Sequence, residues 1–568
     1  MRTCRFNAIT VTVLALVSAL SVLNAAEKAP AASSANEIKI MQKSAAEVFV
    51  PIINPLHDSS LSNYLRAPKL RNLLGVELNS GEMKFVSYWN ADVILLQENI
   101  SNAVSVTAGE NYISWNPRFG RIAAGNQVFA WGKADGMNPT AILNPMDYRI
   151  PVDLKKIPAL SLSYTAYPAP WMSLDAVYLP FKQESMLPYV IADRIPRSVF
   201  NKYTATSFSM NITNFNMGTG AMGLTTAAAV QETVMTNDIH KEQTELYLER
   251  PVGALRMNFF FGPVDFSVMY AYDIDQFYTT AITLEKYTAL SSALVDPAVD
   301  AAVSNAEFHG VIPSVLTNMA ALALKASIPQ SVYRIAAIEL ERKRIHRIGL
   351  DLKTSAGPFG LWGETCFSIG EDPKRTISRI RNPQLDWTAG LDVSYGPDDQ
   401  WYLNVQYTGT YVLNYDSRFY ADYANGMPDS NQSGNASYME EYYYRAFTQK
   451  FGNQFEGLTH GFILRANWPL MQETLIPSLT LSYFLPAYYD TAEKTRYGRA
   501  MVMPEITWKI SDACSASIGA ALYAAVVKKD GSNKLSIDRD DVIGMFYDDS
   551  SVFFRFTYAW NMTRPLSE

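Results

Sequence analysis

The 568-residue sequence predicts an all-β fold, a transmembrane antiparallel β-barrel of about 16–18 strands carrying one long, partly helical loop. Three observations lead there: an export leader at the start, period-two alternation over runs of about ten residues, and an alternation of short turns with long polar connections. Composition sets the outer bounds. Charged residues make up 18%, aromatics 12%, and the formal charge is -7, which excludes a disordered chain and a nucleic-acid binder that needs a basic surface. A mean hydropathy of -0.06 is too low for a bundle of membrane helices, and after the leader no run reaches the roughly 20 apolar residues of a spanning helix.

The leader is legible in order. Arg2 and Arg5 precede an uncharged apolar run from Ala8 to Leu23, and Ala25-Ala26 stands before Glu27, the layout of a cleaved signal peptide. Export from Glu27 removes two arginines and no acids, leaving 46 basic against 55 acidic residues, a charge of -9. Cys4 lies ahead of the apolar run, so no lipid anchor is expected. The domain reading is a signal peptide over 1–26, a periplasmic N-terminal segment and possible plug over 27–70, a barrel over 71–560 and a tail over 561–568.

Strands follow from alternation. In Trp401–Val412, Trp401, Leu403, Val405, Tyr407 and Tyr411 alternate with Tyr402, Asn404, Gln406, Thr408 and Thr410, so one face is apolar and the other polar. Leu385–Tyr395 alternates likewise through Trp387, Ala389, Leu391 and Val393, and Gly396-Pro397-Asp398-Asp399 between the two has tight-turn composition. Further short turns fall at Pro168–Pro170, Gly262-Pro263, Gly357-Pro358, Pro469–Glu473 and Ser511–Ala513. Long connections lie between them, as expected for periplasmic turns and outer loops. Parity places about sixteen strands between Arg121 and Trp560, and a hairpin from Met83–Leu96 and Asn111–Asn116 brings the number to about eighteen. A lumen of that size holds water. The last strand puts Val552, Phe554, Phe556, Tyr558 and Trp560 on one face, an aromatic closing strand of the kind the barrel assembly machinery inserts.

The stretch Gly125–Tyr148, GNQVFAWGKADGMNPTAILNPMDY, resembles the signature of a Gram-negative outer-membrane family of porin-like barrels whose role is largely uncharacterised. In that pattern a GxQ...WG strand end leads into a loop with repeated NP; the chain departs from it at Ala141 and Met146. The segments IGLDLKTSAGPFGLWGET and DWTAGLDVSYGPDDQWYLNVQY are similar as well. The resemblance implies a barrel in the outer membrane, and it implies no particular solute.

Within that loop Gln127, Trp131, Lys133, Asp135, Asn138, Asn144 and Asp147 are the candidate functional residues. Asn138-Pro139 and Asn144-Pro145 are turn formers, because proline restricts the residue before it and asparagine bonds its own backbone. The loop either lines a constriction at the mouth or braces the wall. The connection Asp273–Ile345 is rich in Ala, Leu and Val at helical spacing between Ala289 and Ala326, so short helices are expected there, as a plug or an external lid. Two basic clusters, Arg342, Lys343, Arg344 and Arg347 with Lys374, Arg375, Arg379 and Arg381, are read either as an electropositive funnel or as a rim for lipopolysaccharide phosphates.

Strand parity points Arg256, Asp351, Lys353, Glu364, Asn404, Gln406, Arg465, Glu505 and Lys509 into the lumen. Charges of both signs suit a hydrated channel. Cys366 shares a face with Trp362 and Glu364, and Cys514 with Ile518 and Leu522, so one thiol is expected in the lumen and the other toward lipid, with no bond between them. Hydrolysis has little support. Asp238-Ile239-His240 and His57-Asp58-Ser59 have the two-residue spacing of rim catalysts, yet no nucleophile elbow, zinc spacing or phosphate loop accompanies them. Asp538, Asp540 and Asp541 lack the spaced ligands of a calcium loop. The expected function is a channel for passive diffusion of small hydrophilic solutes, with no cofactor; a transporter of hydrophobic ligands and a surface adhesin are the alternatives.

Overall fold

A computed structural model describes residues 36–53, 67–95, 104–186, 250–279, 341–415, 454–528 and 534–565, apart from 135, 149–153, 375–376, 378, 397–399, 455, 486–495, 540 and 542, together with the backbone of 210–216, 221–226, 239–241, 280–287, 332–340, 494–495 and 529 and residue 437. Eighteen strands form a closed antiparallel barrel. They are β1 (Glu37–Pro51), β2 (Lys69–Ser80), β3 (Met83–Ile94), β4 (Val104–Trp115), β5 (Gly120–Gln127), β6 (Ala159–Ala169), β7 (Met172–Leu179), β8 (Val252–Phe261) and β9 (Val264–Ile274). The second half of the ring is β10 (Arg344–Ala356), β11 (Phe359–Gly370), β12 (Gln384–Tyr395), β13 (Trp401–Val412), β14 (Leu458–Asn467), β15 (Leu475–Leu485), β16 (Lys494–Lys509), β17 (Cys514–Lys529) and β18 (Ser551–Pro565). Each strand pairs with its neighbours in chain order, and β1 closes the ring on β18 in register from Glu37 opposite Pro565 to Pro51 opposite Ser551. Closure leaves no free sheet edge, which a lipid-embedded sheet requires.

The polarity of the two faces is inverted relative to a water-soluble protein. Along β8, Leu255 and Met257 are exposed while Arg256 and Asn258 between them are buried. On β10, Ile348, Leu350 and Leu352 are exposed while Arg347 and Asp351 are buried. Pleating turns alternate side chains to opposite faces, so the outside is an apolar band and the inside is polar. Exposed Trp115, Trp171 and Trp508 ring the turn end, and Tyr270, Tyr272, Tyr411 and Tyr483 the loop end, where amphipathic rings sit at membrane interfaces. Near the turns Trp171 stacks on Phe259 and Phe261 at 6.3 and 5.8 Å.

Short connections alternate with long ones around the whole ring, and both described chain ends lie on the short-turn side. Gly262 and Gly357, each followed by proline, adopt φ of 59° and 62°, a left-handed backbone that glycine enters without steric cost and that lets two strands reverse in two residues. Met471, Gln472 and Glu473 hold positive φ in the β14–β15 turn.

The distribution of strands corrects the sequence reading. Fourteen strands, not sixteen, lie after Gly120, and four precede it. Residues 27–70, expected ahead of the barrel as a segment or plug, supply β1 to the wall. Its alternation is blurred by Ser44, Ala45 and Ala46 at the centre, and its partner stands at the other end of the chain. The tail expected over 561–568 is strand through Pro565, because Glu37–Met41 pairs with it. Between β7 and β8, Met210–Asn216 and Ala221–Thr226 pair with each other outside the wall. Thr279–Tyr287 and Val332–Glu341 extend the β9–β10 hairpin beyond it, with Ile239–Lys241 added in parallel. The signal peptide and the segment 288–331, where helices are expected, lie outside the described residues.

Candidate functional site

The chain leaves β5 at Gln127 and turns into the lumen. Gln127 is held by the inner wall: its amide donates to Ser161 Oγ at 2.9 Å and its Oε1 accepts from Ser163 Oγ at 2.9 Å. Asn144 fastens the loop to itself. Its Oδ1 accepts from Phe129 N at 2.7 Å, and its Nδ2 donates to the Gln127 and Ile157 carbonyls at 2.9 and 3.0 Å. Between these points Trp131, Ile142 and Leu143 are buried in an apolar cluster with Val177, Met269 and Cys366, inside the barrel rather than between sheets. Full burial of a leucine side chain contributes about 1.5–3 kcal/mol, so this cluster fixes the loop's base.

Beneath Trp131 lies an ordered charge pair. Arg256 on β8 sits 5.8 Å from the Trp131 ring and donates to Asp351 Oδ2 on β10 at 2.8 Å and Ser267 Oγ on β9 at 3.0 Å. The single Ser267 hydroxyl proton has Asn258 Oδ1 at 2.9 Å and Asp351 Oδ1 at 3.0 Å as alternative acceptors. Lys156, at the loop's far end, donates to the Phe129 carbonyl at 3.0 Å, and burial pushes its ammonium below the ordinary lysine range, partly offset by the Glu364 carboxylate.

The loop then crosses to the other side of the ring. Glu364 on β11 accepts from the backbone N–H of Lys133, from Ala134 N at 2.5 Å and from Thr140 Oγ1 at 2.7 Å. Peptide dipoles and a hydroxyl, rather than a cation, make these bonds to the carboxylate, and hydrogen bonds to a charged acceptor are the stronger kind. Farther on, Gln406 Nε2 on β13 donates to the Met137 carbonyl at 2.7 Å and to Thr388 Oγ1 at 2.8 Å. Gly136 packs so closely that a Cβ there would stand 2.5 Å from Gln406 Oε1. From β5 to β13 is close to half the ring, so the loop divides the lumen.

Asn138 donates through Nδ2 to the Trp131 carbonyl at 3.1 Å, shaping the bend at Gly132, whose φ is 95°. Lys133 serves through its backbone. Asp147 lies in a short ladder opposite Lys155, and Asp135 lies outside the described residues. Among the other lumen candidates, Asn404 and Gln406 are fully buried. Arg465 is half-buried, and Lys353 is exposed. Glu505 stands 3.6 Å from Arg555, whereas Lys509 pairs with Glu473 at 2.9 Å with both side chains about half exposed at the turn rim. Trp362, Glu364 and Cys366 are buried together, while Ile518 on the Cys514 face is exposed; both thiols are free.

The basic clusters form neither a funnel nor a uniform outer rim. Arg347 lies 3.2 Å from Asp273 and 3.9 Å from Asp275, and Arg381 reaches Asp275 at 2.6 Å. Lys182 donates to both Asp273 oxygens at 2.8 and 2.7 Å, and Arg342 donates to the Lys182 carbonyl at 2.9 Å. A run of cations is thus matched by buried acids that sequence spacing did not reveal, because the pairs join β9, β10 and two connections. Burial drives Lys182 down to about 8 although Asp273 opposes the shift. Arg344 faces outward, 4.8 Å from the Tyr272 ring, Lys343 pairs with Glu341, Lys374 is exposed and Arg375 lies outside the described residues.

A second inward segment was not read from the sequence. After β17 the chain folds back through a 3-10 helix, Gly544–Asp549, which sets Phe546 against Tyr523 at 5.5 Å. Asp541 accepts from Ile543 N, just ahead of the helix, at 2.8 Å and binds Arg499 at 2.9 Å; Arg499 also reaches Glu456 at 3.2 Å. An irregularity between Arg496 and Gly498 turns both Arg496 and Arg499 toward Glu456, as a β-bulge does. A small cavity of about 20 Å³ lies there, lined by Glu456, Phe484, Arg496, Arg499, Asp538 and Asp541. Among the described residues no group of three His, Cys, Asp or Glu side chains could hold a metal ion. His57 lies outside the described residues, and His240 is described by its backbone alone.

No family model matches the sequence, the Gly125–Tyr148 signature included, and no curated protein matches it. Solved structures are similar at low identity. OccAB4 of Acinetobacter baumannii shares 7% identity at a TM-score of 0.41, over 93% of this chain and 99% of that one. OpdK of Pseudomonas aeruginosa, crystallised with vanillate, gives 7% and 0.41 over 93% and 99%, and OccK3 (OpdO) of the same organism gives 6% and 0.40 over 93% and 96%.

Proposed function

We propose that the chain is an outer-membrane, porin-like channel for passive diffusion of small hydrophilic solutes. The observation that carries this reading is a closed eighteen-strand ring with an apolar outside, a polar inside and a loop from β5 docked across the lumen on Glu364 and Gln406. Such a loop narrows the passage without filling it, and charges of both signs beside it, Arg256 with Asp351 and Arg465 near Asn404, keep the path wet. The export leader, the two aromatic girdles and the aromatic closing strand support delivery to the outer membrane, insertion by the barrel assembly machinery and contact with lipid and lipopolysaccharide. Hydrolysis has no support in the chemistry of the crossing: Glu364 is committed to peptide N–H groups and a hydroxyl, and Asp351 and Asp273 to cations. A hydrophobic-ligand transporter is disfavoured by the polar inner face and by the place of Glu37–Pro51 in the wall instead of a plug.

Liposome swelling tests the reading. Vesicles carrying the purified chain are expected to swell in isotonic monosaccharide faster than protein-free vesicles. Swelling no faster than the control overturns it and leaves a binding role for the long loops.

A further inference from the structure

Where the loop tip meets the wall, buried hydrogen-bonding groups lack partners. Asn404 is fully buried, and neither its Nδ2 nor its Oδ1 has a hydrogen-bond partner among the described residues. The same holds for Gln406 Oε1 and for Nε1 of Trp362. Buried polar atoms are normally satisfied, so orphans gathered in one place call for an explanation.

These atoms lie together. Asn404 and Gln406 are two residues apart on β13 and share its inner face. Trp362 lies over Gly390, the residue paired with Gln406, in a close approach that only a glycine permits. Across the ladder Asn404 stands between Asp392 on β12 and Arg465 on β14. The tip of the loop covers the group: the Met137 carbonyl occupies one Gln406 amide hydrogen, and Gly136 fills the space before Oε1.

Resting on the channel reading, we infer that Trp362, Asn404 and Gln406 form a solute subsite beneath a displaceable loop tip, and that its solute is a neutral polyhydroxylated molecule of the carbohydrate class. Orphaned donors (Asn404 Nδ2, Trp362 Nε1) alternate with orphaned acceptors (Asn404 Oδ1, Gln406 Oε1), and a hydroxyl both donates and accepts, so one ring of hydroxyls satisfies all four. The indole beside them offers an apolar body with a polar edge, suited to the C–H face of a sugar. The flanking charges are of opposite sign, so a carboxylate meets Asp392 and an ammonium meets Arg465, whereas a neutral polyol donates to Asp392 and accepts from Arg465. The peptide groups at 136–137 hold the place of solute hydroxyls when none is bound.

The test is titration calorimetry with maltose on the full chain in amine-oxide micelles, which carry no sugar. Saturable binding is expected, weakened about tenfold or more in Asn404→Ala and in Gln406→Ala. Gly136→Ala removes no wall side chain, and its methyl pushes the tip away from Gln406, so maltose is expected to bind more tightly. Folding of each variant is read from heat-modifiable gel mobility. No saturable heat from the folded wild type, or affinities unchanged in all three folded variants, overturns the subsite. Ion conductance is measured separately. A chain that conducts without binding maltose overturns the subsite alone, and one that binds maltose without conducting keeps the subsite and overturns the channel reading.

Discussion

The two inward segments are held by different chemistry. The loop after β5 is anchored by an apolar cluster around Trp131, Ile142 and Leu143 and clasped across the lumen by backbone bonds to Glu364. The segment after β17 stays beside its own strands and is held chiefly by charge, through Arg499, Asp541 and Glu456, with Phe546 as its main apolar contact. An apolar base lets a loop leave its strand and cross a wet space, because burial is non-directional and withstands salt. Ion pairs act only where partners already stand close, and they keep a segment at the wall.

Breaking the clasp is expected to have the largest effect. Glu364→Ala removes bonds to a charged acceptor worth about 1.5–3 kcal/mol each, frees the crossing, and should raise single-channel conductance severalfold with added open-channel noise. An unchanged current would place the narrowest point elsewhere. Leu143→Ala, which removes methyl groups from the base, is expected to cost about 2–5 kcal/mol and to give noisier current with an intermediate rise in conductance. The thermal transition read by gel mobility checks the stability arm.

Arg499→Met should act locally. It leaves Asp541 and Glu456 without that partner, a loss of about 3–5 kcal/mol for a buried pair. Proteolysis within 534–550 is expected to speed up while conductance changes little. A conductance shift as large as that of Glu364→Ala would erase the distinction between the two segments. The smallest effect concerns Lys182, whose ammonium is held down to about 8, against an ordinary value of about 10.4. Between those values the unfolded chain binds more protons than the folded one, so this group's contribution to stability rises with pH. The margin of wild type over Lys182→Met in thermal transition temperature should widen from pH 8 to 10; a margin that narrows contradicts the assignment.

Much of the wall was legible because alternation is local. The β12–β13 hairpin follows from Trp387 to Tyr411 alone, and the faces of Arg256, Asp351 and Glu364 follow from parity. The first strand was not legible. Ser44, Ala45 and Ala46 dilute its pattern, and what makes it a strand is pairing with residues 551–565 at the opposite end of the chain. Partners within the lumen were hidden for the same reason, since Asp273 meets Lys182 and Arg347 only after the ring has closed. The 3-10 helix at Gly544–Asp549 is too short to carry a period, and nothing in the spacing of Asp538, Asp540 and Asp541 revealed that Asp541 accepts from Ile543 N and pairs with Arg499.

Single-channel recording in planar bilayers, with wild type and Glu364→Ala side by side, tests the crossing loop most directly. Wild type is expected to conduct ions in discrete steps, and Glu364→Ala to conduct in larger, noisier ones. A wild type that stays closed at every voltage, or a variant whose steps match those of wild type, would contradict a lumen narrowed by a loop docked on Glu364.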